Sequence, residues 1–155
     1  MKAVVQRVRE ASITVDGKIT GAIEHGLLVY LGVASEDTEK DAEWMAEKTA
    51  NLRIFEDAQG KMNLSISDLK NNSKDEEGPG VLAVSQFTLL GDAGKGRRPY
   101  YGAAAAPGKA KTLYEYFIEQ VKKHGLACES GIFQAHMDVR YINDGPVTIL
   151  LNSSG

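Results

Sequence analysis

Hydrophobic and polar residues alternate with the two-residue period of β-strands through the opening part of the chain. This pattern predicts strands over Ala3–Val8 and Ala11–Val15, and the turn Asp16-Gly17 joins the second of them to a hairpin partner over Lys18–Ile23. Leu27–Val33 is apolar without interruption, which is typical of a strand buried on both faces. The opening of the chain therefore predicts a sheet.

Two later segments change to the period of an α-helix. Asp37 is the predicted N-cap of a helix that runs to about Leu52. Its apolar stripe lies at helical spacing and consists of Ala42, Met45, Ala46, Thr49 and Leu52. The second predicted helix spans Lys109–His124, and Gly125 is its C-terminal stop.

The remaining strands are separated by two long polar segments. Strands are predicted over Val81–Gln86, Ala135–Ile142 and Val147–Leu151. Lys70–Gly80 is polar and is predicted to be an exposed loop. Gly91–Gly108 is rich in glycine and alanine and carries a basic cluster, and a loop of this length inside a compact domain is often functional.

Composition describes an ordinary water-soluble protein. The 155 residues fit one domain, predicted to span residues 1–155, and 43% of them are hydrophobic. A net charge of −3 argues against a protein that binds nucleic acid through its overall charge, although a local basic patch remains compatible with it. Cys128 is the only cysteine, so no internal disulfide can form, which suits the cytoplasm. The sequence predicts neither a signal peptide nor contact with a membrane.

Familiar catalytic patterns are missing. The sequence has no glycine-rich nucleotide loop, so no cofactor is predicted. His25, His124 and His136 are not spaced with one another or with Cys128 as metal ligands, and we therefore predict an activity that needs no metal. His136 is interpreted as surface decoration of a strand, and Cys128 as a small buried hydrophobe.

Two segments place polar groups at strand ends and are the best candidates for a site. Ser85, Gln86, Phe87 and Thr88 close an apolar run, and Gly145-Pro146 interrupts what otherwise has the pattern of a strand. From the residues alone, a capped turn is the favoured interpretation of the first segment, and a hairpin turn is an alternative for the second. Lys95, Arg97 and Arg98 have two interpretations as well: an ordinary mobile loop, or a contact to a phosphate backbone.

Taken together, the segments Ser85–Leu89 and Asn143–Thr148 resemble the signature pair of the D-aminoacyl-tRNA deacylases. Other stretches agree in order along the chain: Ala3–Val8, Leu52–Asp57, Gly60–Asn63, Lys95–Pro99, and the alternating Gly131, Phe133, Ala135 and Met137. The resemblance therefore covers nearly the whole sequence. It implies a three-layer mixed β/β/α domain of the α/β class with two main helices, compatible with the predicted order of elements.

The resemblance also implies a function and a site. The substrate would be tRNA charged with a D-amino acid, or with glycine, and the protein would be a homodimer in which the Gly145-Pro146 segment of one subunit enters the other subunit's site. The peptide bond of that segment would be cis, and its carbonyl groups would exclude an L side chain. Phe87 and Gly145 would lie against the amino group of the amino acid, Phe133 and Met137 near the terminal adenine, and Arg7 near the Gly-Pro segment.

The mechanism is open at this point. Thr88 is a candidate nucleophile, yet no base in the sequence pattern activates it. The alternative is that the 2′-hydroxyl of the terminal ribose assists, while backbone amides near Phe87 bind the oxyanion. Two functions without catalysis are also possible: a tRNA-binding module, and a dimeric module that binds a free D-amino acid.

Overall fold

A computed structural model describes residues 1–74 and 78–154. Its main sheet has six strands in the order β2-β1-β3-β6-β7, with β8 paired to β1, and β4 and β5 form a separate two-stranded sheet. The strands are β1 Lys2–Val15, β2 Lys18–Ile23, β3 Gly26–Gly32, β4 Phe55–Glu56, β5 Met62–Leu64, β6 Gly80–Ser85, β7 Ala127–Ser130 and β8 Asp138–Asn152. The helices are α1 Glu39–Asn51, α2 Ile66–Asn72 and α3 Pro107–Lys123, with a short 3-10 helix over Phe87–Leu90.

The sheet has apolar residues on both faces, which produces three layers. β3 and β6 are parallel, and alternate residues of each strand belong to different clusters. Leu27, Val29 and Leu31 pack toward α1 and α3 together with Met45 and Phe117. On the opposite face, Leu28, Leu82 and Val84 pack with Val8 and Ile13 under residues 135–139. The predicted α/β class and the three-layer arrangement are confirmed, and α2 adds a short third helix to the two main ones.

β1 and β8 are longer than the sequence pattern predicted. The expected strands Ala3–Val8 and Ala11–Val15 are one strand, because β8 pairs along its whole length and the register only shifts near Val8. Likewise the two expected strands Ala135–Ile142 and Val147–Leu151 form the single strand β8, which begins only at Asp138. Gly145-Pro146 therefore lies inside a strand, and the hairpin interpretation is wrong. Interruptions that look like turns in the sequence are bulges here, where an extra residue bends a strand without ending it.

The N-cap of α1 is Thr38, so the expected cap at Asp37 is wrong by one residue. The backbone N–H of Thr38 donates to the Asp41 carboxylate at 2.8 Å, which closes a capping box. Asp37 is instead buried, and its carboxylate accepts from the Met1 ammonium group and from the Ala34 backbone N–H, both at 2.6 Å. That carboxylate ties the start of β1 to the segment that leads into α1.

Among the elements that the sequence analysis did not predict are α2 and β7. α2 begins at its N-cap Ser65 and ends at Asn72, so the expected loop Lys70–Gly80 is wrong at its first three residues, and its residues 75–77 lie outside those described. β7 is a four-residue strand that lies parallel to β6. Both elements are too short for a hydrophobic period to be recognised, and β7 is held mainly by its pairing.

α3 begins with Pro107 in its first turn, two residues before the prediction, and Gly125 follows its end with a φ of +79°. The expected loop before it, Gly91–Gly108, is therefore shorter at its end. It also contains a small hairpin, in which Asp92 and Tyr100 exchange two backbone hydrogen bonds of 2.8 Å.

Candidate functional site

The Ser85–Thr88 segment begins where β6 ends. Ser85 is the last strand residue, and the Gln86 backbone N–H still donates to the carbonyl of Leu31 in β3 at 2.8 Å. A side chain at Gly32 would come within 2.9 Å of the Gln86 carbonyl, so the two backbones can approach this closely only because Gly32 lacks one. The backbone then turns into the 3-10 helix that begins at Phe87.

The side chains of this segment bond mainly to one another. Gln86 Nε2 donates a hydrogen bond to Thr88 Oγ1. The backbone N–H groups of Phe87 and Thr88 precede the first hydrogen-bonded turn and have no acceptor among the described residues. Two adjacent amide donors at the edge of a cleft are suited to bind an oxyanion.

An apolar cleft of about 700 Å³ opens beside this segment. Its wall brings together the end of β6, the start of α3 and the segment before β8; it consists of Val33, Val84, Ser85, Gln86, Phe87, Tyr101, Ala104, Ala105, Pro107, Ala110, Phe133, Gln134, Ala135, His136, Met137 and Val139. The volume and the mostly apolar wall suit a flat organic group of the size of a nucleoside.

Three aromatic residues line the cleft: Phe87, Tyr101 and Phe133. Phe87 is 56% exposed and meets Tyr101 edge-on, with ring centroids 5.2 Å apart. Phe133 is tilted against the buried Tyr114 at 6.1 Å, and Tyr114 donates a hydrogen bond to the Ala83 carbonyl. Met137 lies over Gly131, where a Cβ would come within 2.5 Å of the Met137 sulfur. Phe87, Phe133 and Met137 all line the cleft.

Gly145-Pro146 is a cis peptide bond, as predicted, and Gly145 has a φ of +127°. Asn143 fixes both sides of this step: its Nδ2 donates to the carbonyl of Arg7 and to that of Val147, each at 3.0 Å. The segment is exposed at Gly145 and Pro146, so its carbonyl groups are open to a neighbour.

Arg7 is buried and lies beneath the Gly-Pro segment, as the resemblance implied. Its Nε donates to the backbone carbonyl of Asp144 at 3.2 Å and Nη1 to the carbonyl of Ile54 at 2.6 Å. The Asp144 carboxylate pairs with Arg7 at 3.2 Å and with the exposed Arg9 at 3.3 Å. These contacts surround a second, polar pocket of about 420 Å³, lined by Arg7, Arg9, His25, Phe55, Glu56, Leu69 and Asp144.

The two signature segments lie far apart within one chain. Ser85 is level with Leu31 and thus with Ala3 of β1, whereas the Gly-Pro step lies between residues paired to Gln6 and Val8. This is an offset of about 13 Å along the strands and about 14 Å across three strand spacings. None of Arg7, Gly145 and Pro146 lines the cleft of Phe87, Phe133 and Met137.

Ionisable groups are sparse in the cleft. His136 lines it, but its side chain is 93% exposed and Nε2 lies 3.6 Å from Asp138. It precedes β8, so the expected strand position is wrong. Cys128 lies outside the lining; burial raises the pKa of its thiol to about 12, which fits the expected packing role. Within residues 1–74 and 78–154, no three His, Cys, Asp or Glu side chains are grouped to hold a metal, and no helix could cross a membrane.

Sequence reasoning missed several residues that the structure brings to these places. Asn143 was included in the signature segment without a role of its own, yet it bonds across the Gly-Pro step. Gln134 lines the cleft with a φ of +65°, which is rare outside glycine, and no sequence signal marks it. Tyr101 was not among the predicted site residues, because its ring contact with Phe87 depends on the fold.

Comparison with known proteins gives consistent results. A family model described as D-Tyr-tRNA(Tyr) deacylase matches residues 4–152. A protein of Koribacter versatilis named D-aminoacyl-tRNA deacylase is 60% identical over 99% of this chain and 97% of its own. A protein of the same name from Desulfotalea psychrophila is 59% identical over the same shares.

Two solved structures are similar in fold. One is described as c-Myc DNA Unwinding Element Binding Protein; it is 43% identical, has a TM-score of 0.86 and is matched over 98% of both chains. The other is described as a probable eukaryotic D-amino acid tRNA deacylase, with 18% identity, a TM-score of 0.79 and 97% coverage of both chains. The second likeness bears on the fold alone.

Proposed function

The chain belongs to the D-Tyr-tRNA(Tyr) deacylase family, and on that premise we propose how its cleft performs the reaction. It is an ester hydrolase: it cleaves the bond between a D-amino acid and the terminal ribose of tRNA, and releases both. The observation that carries this function is identity of 53–60% to eight deacylases, each matched over nearly its full length.

Catalysis depends on the position of the bound ester and on backbone amide groups that stabilise its oxyanion. An aminoacyl ester is labile, so orienting it and stabilising its oxyanion lowers the barrier substantially. The unpaired N–H groups of Phe87 and Thr88 are the donors for that oxyanion. The 2′-hydroxyl of the substrate's terminal ribose assists the attack of water. This scheme is supported by the surroundings of Thr88: its hydroxyl is bonded to the Gln86 amide and, within residues 1–74 and 78–154, to no base.

The adenosine end of the substrate occupies the apolar cleft. Phe133 and Met137 form one wall beside the adenine, and Ser85 and Gln86 form the floor next to the ester. Support comes from the size and apolar character of the cleft, which suit a nucleoside better than a free amino acid.

The active protein is a homodimer, and each site combines segments of both subunits. Gly145-Pro146 of one subunit reaches the Phe87 segment of the other. This shared site is supported by the separation of the two segments within one chain. The Gly-Pro step and the apolar Ile142 and Leu150 on the same strand are also exposed. Arg7 and Asn143 hold the inserted segment from below.

Discrimination between D and L substrates is steric. With the amino group held against Phe87 and Gly145, the carbonyls of Gly145 and Pro146 occupy the direction in which an L side chain would project. A D side chain or the hydrogen of glycine points away from them. The enzyme acts in the cytoplasm, where charged tRNA is found and where a single buried thiol remains reduced.

The decisive assay measures release of labelled amino acid from tRNA charged with D-tyrosine and, as the control, with L-tyrosine. We expect rapid release from the D ester and only background release from the L ester. Binding of either tRNA without release would indicate a tRNA-binding module. Binding of free D-tyrosine alone would indicate the metabolite-binding alternative.

A mixing experiment tests the shared site. One variant has its cleft filled by Ala104→Trp, and the other has its inserted segment disabled by Gly145→Ala. In a twofold-symmetric dimer the mixed species retains one intact site, so reassociated mixtures should recover about a quarter of the wild-type activity. If both segments act within one chain, every mixture stays as inactive as its components.

A further inference from the structure

A small hairpin beside the cleft carries a concentrated positive charge. Its two arms are joined at Asp92 and Tyr100 by reciprocal backbone hydrogen bonds of 2.8 Å, and Gly96 at its tip has a φ of +78°. The cations Lys95, Arg97 and Arg98 surround that tip, and all of them are exposed. The hairpin thus presents the three cations together at its tip.

The base of the hairpin is bonded to the Ser85–Thr88 segment. The Gly91 backbone N–H donates to the carbonyl of Thr88 at 3.0 Å, and Tyr101 meets the ring of Phe87. A Cβ on Gly91 would lie 2.8 Å from the Tyr101 ring, so these groups are closely packed. The tip is four residues beyond the bridge, at most about 13 Å away at the rise of an extended chain.

The hairpin is positively charged, although the whole chain has a net charge of −3. Among the described residues, Lys95, Arg97 and Arg98 form no ion pair with a carboxylate. Asp92, the nearest acidic residue in the hairpin, accepts from the Gly94 backbone N–H at 2.8 Å. Unpaired cations fixed near an active site raise the local concentration of a polyanionic substrate and add contacts to its phosphates.

We propose that Lys95, Arg97 and Arg98 bind the backbone phosphates of the nucleotides next to the 3′-terminal adenosine while the ester lies in the cleft. This rests on the proposed function, because it assigns a further contact to the same tRNA substrate. The short reach of the hairpin favours the single-stranded end of the tRNA over its more distant helical parts. The interaction is electrostatic and independent of base sequence, so it serves every charged tRNA alike.

The test compares wild type with two variants of equal charge. One is Lys95→Gln, Arg97→Gln, Arg98→Gln; the control, Lys18→Gln, Lys61→Gln, Lys122→Gln, removes three exposed cations elsewhere. Each protein is assayed on D-tyrosyl-tRNA and on D-tyrosyl-adenosine, which has no phosphate, across a range of salt concentrations. Binding of uncharged tRNA is measured in parallel.

The hairpin variant loses contacts to three phosphates of a single strand. On tRNA, its slope of log kcat/KM against log salt concentration should therefore flatten by about 2. Its activity on D-tyrosyl-adenosine should equal that of wild type, and the control variant should keep most of the slope. If the two variants show the same salt dependence on tRNA, the proposal is refuted. The cluster would then be assigned to binding an acidic protein partner. Equal loss on both substrates also refutes it, because the effect is then structural.

The proposed function and the phosphate contact of the hairpin would be refuted by different results. Wild-type protein that hydrolyses neither substrate would refute the proposed function. The binding measurement would still decide on the hairpin, since loss of the salt slope for uncharged tRNA in the hairpin variant alone supports the phosphate contact, and an unchanged slope rejects it.

Discussion

Thr88 illustrates, at the scale of one residue, why the backbone carries the chemistry. Its hydroxyl accepts from Gln86 Nε2 and is bonded to no general base among the described residues, so it is poorly activated as a nucleophile. We expect Thr88→Ala to retain kcat for D-tyrosyl-tRNA within about tenfold, which is small beside the effect of removing a true nucleophile. Single-turnover kinetics measure this, with Thr88→Ser as the matched control. An acyl-enzyme ester trapped on Thr88 would contradict the expectation.

Gly145 is the residue at which space is most restricted in the Gly-Pro step. A Cβ there would lie 2.8 Å from Val147 Cγ2 and 3.1 Å from Arg7 Nη2, and its φ of +127° disfavours any side chain. We expect Gly145→Ala to lower kcat/KM for the D ester by about 10- to 100-fold, in line with displaced or strained backbone. Gly60→Ala is the control, because Gly60 has a φ of +74° and nothing within 4 Å. Equal activity of the two variants would count against the role of Gly145.

Cys128 should be nearly inert while the protein is folded. Burial raises the pKa of its thiol to about 12, so at pH 8 the reactive thiolate is about one part in ten thousand. We expect slow reaction with Ellman's reagent at pH 8 and prompt reaction in guanidinium chloride. The raised pKa also means that this group opposes folding increasingly as the pH rises above about 8.5, where the unfolded thiol ionises first. Prompt reaction of the native protein would show that the site opens readily.

At the scale of elements, Asn143 holds the bulge of β8 in place. Its Nδ2 serves the carbonyls of Arg7 and Val147, so Asn143→Ala leaves two carbonyls without that donor and should cost about 1–3 kcal/mol of unfolding free energy. Because the Gly-Pro step lies between those bonds, we also expect a lower ratio of D to L hydrolysis. Chemical denaturation and the paired assay measure both effects.

The control for this element is Asn51→Ala in α1. The Asn51 amide donates to the Glu47 carbonyl at 2.9 Å but is exposed, so its loss should change stability by less than about 0.5 kcal/mol. A change in D to L ratio for Asn51→Ala as large as that for Asn143→Ala would mean that the ratio reports general loosening of the fold.

Elements with a clear hydrophobic period could be predicted, and those held by distant partners could not. α1 and α3 were located because their buried stripes repeat along many turns, and β3 and β6 because both of their faces are buried. β7 forms by pairing with β6, and β8 is one continuous strand because it pairs with β1. Both partners are more than forty residues away in sequence. The site divides in the same way: its motif residues were recognisable, whereas Gln134 and Tyr101 reach the cleft only through the fold.

At the scale of the whole molecule, the exposed face of β8 predicts association. Ile142 is 49% and Leu150 is 77% exposed on this strand. We expect sedimentation velocity to give a dimer for wild type, and Leu150→Glu to weaken it and reduce hydrolysis together, because a charge would be buried at the contact. Ile19→Glu on β2 is the control, since Ile19 is 69% exposed. An active wild-type monomer would exclude the shared site.

The pairing of β1 with β8 has a consequence for synthesis of the chain. β1 is made first, but its long edge is satisfied only by residues 138–152, and the backbone N–H of Ser153 even donates to the carbonyl of Met1 at 2.9 Å. During translation this edge stays unpaired until residues 138–152 have left the exit tunnel of the ribosome. Contacts between segments so far apart in sequence also make folding slow. Nascent chains of this protein should therefore depend on chaperones that cover an open strand edge, and truncation before β8 should produce aggregation.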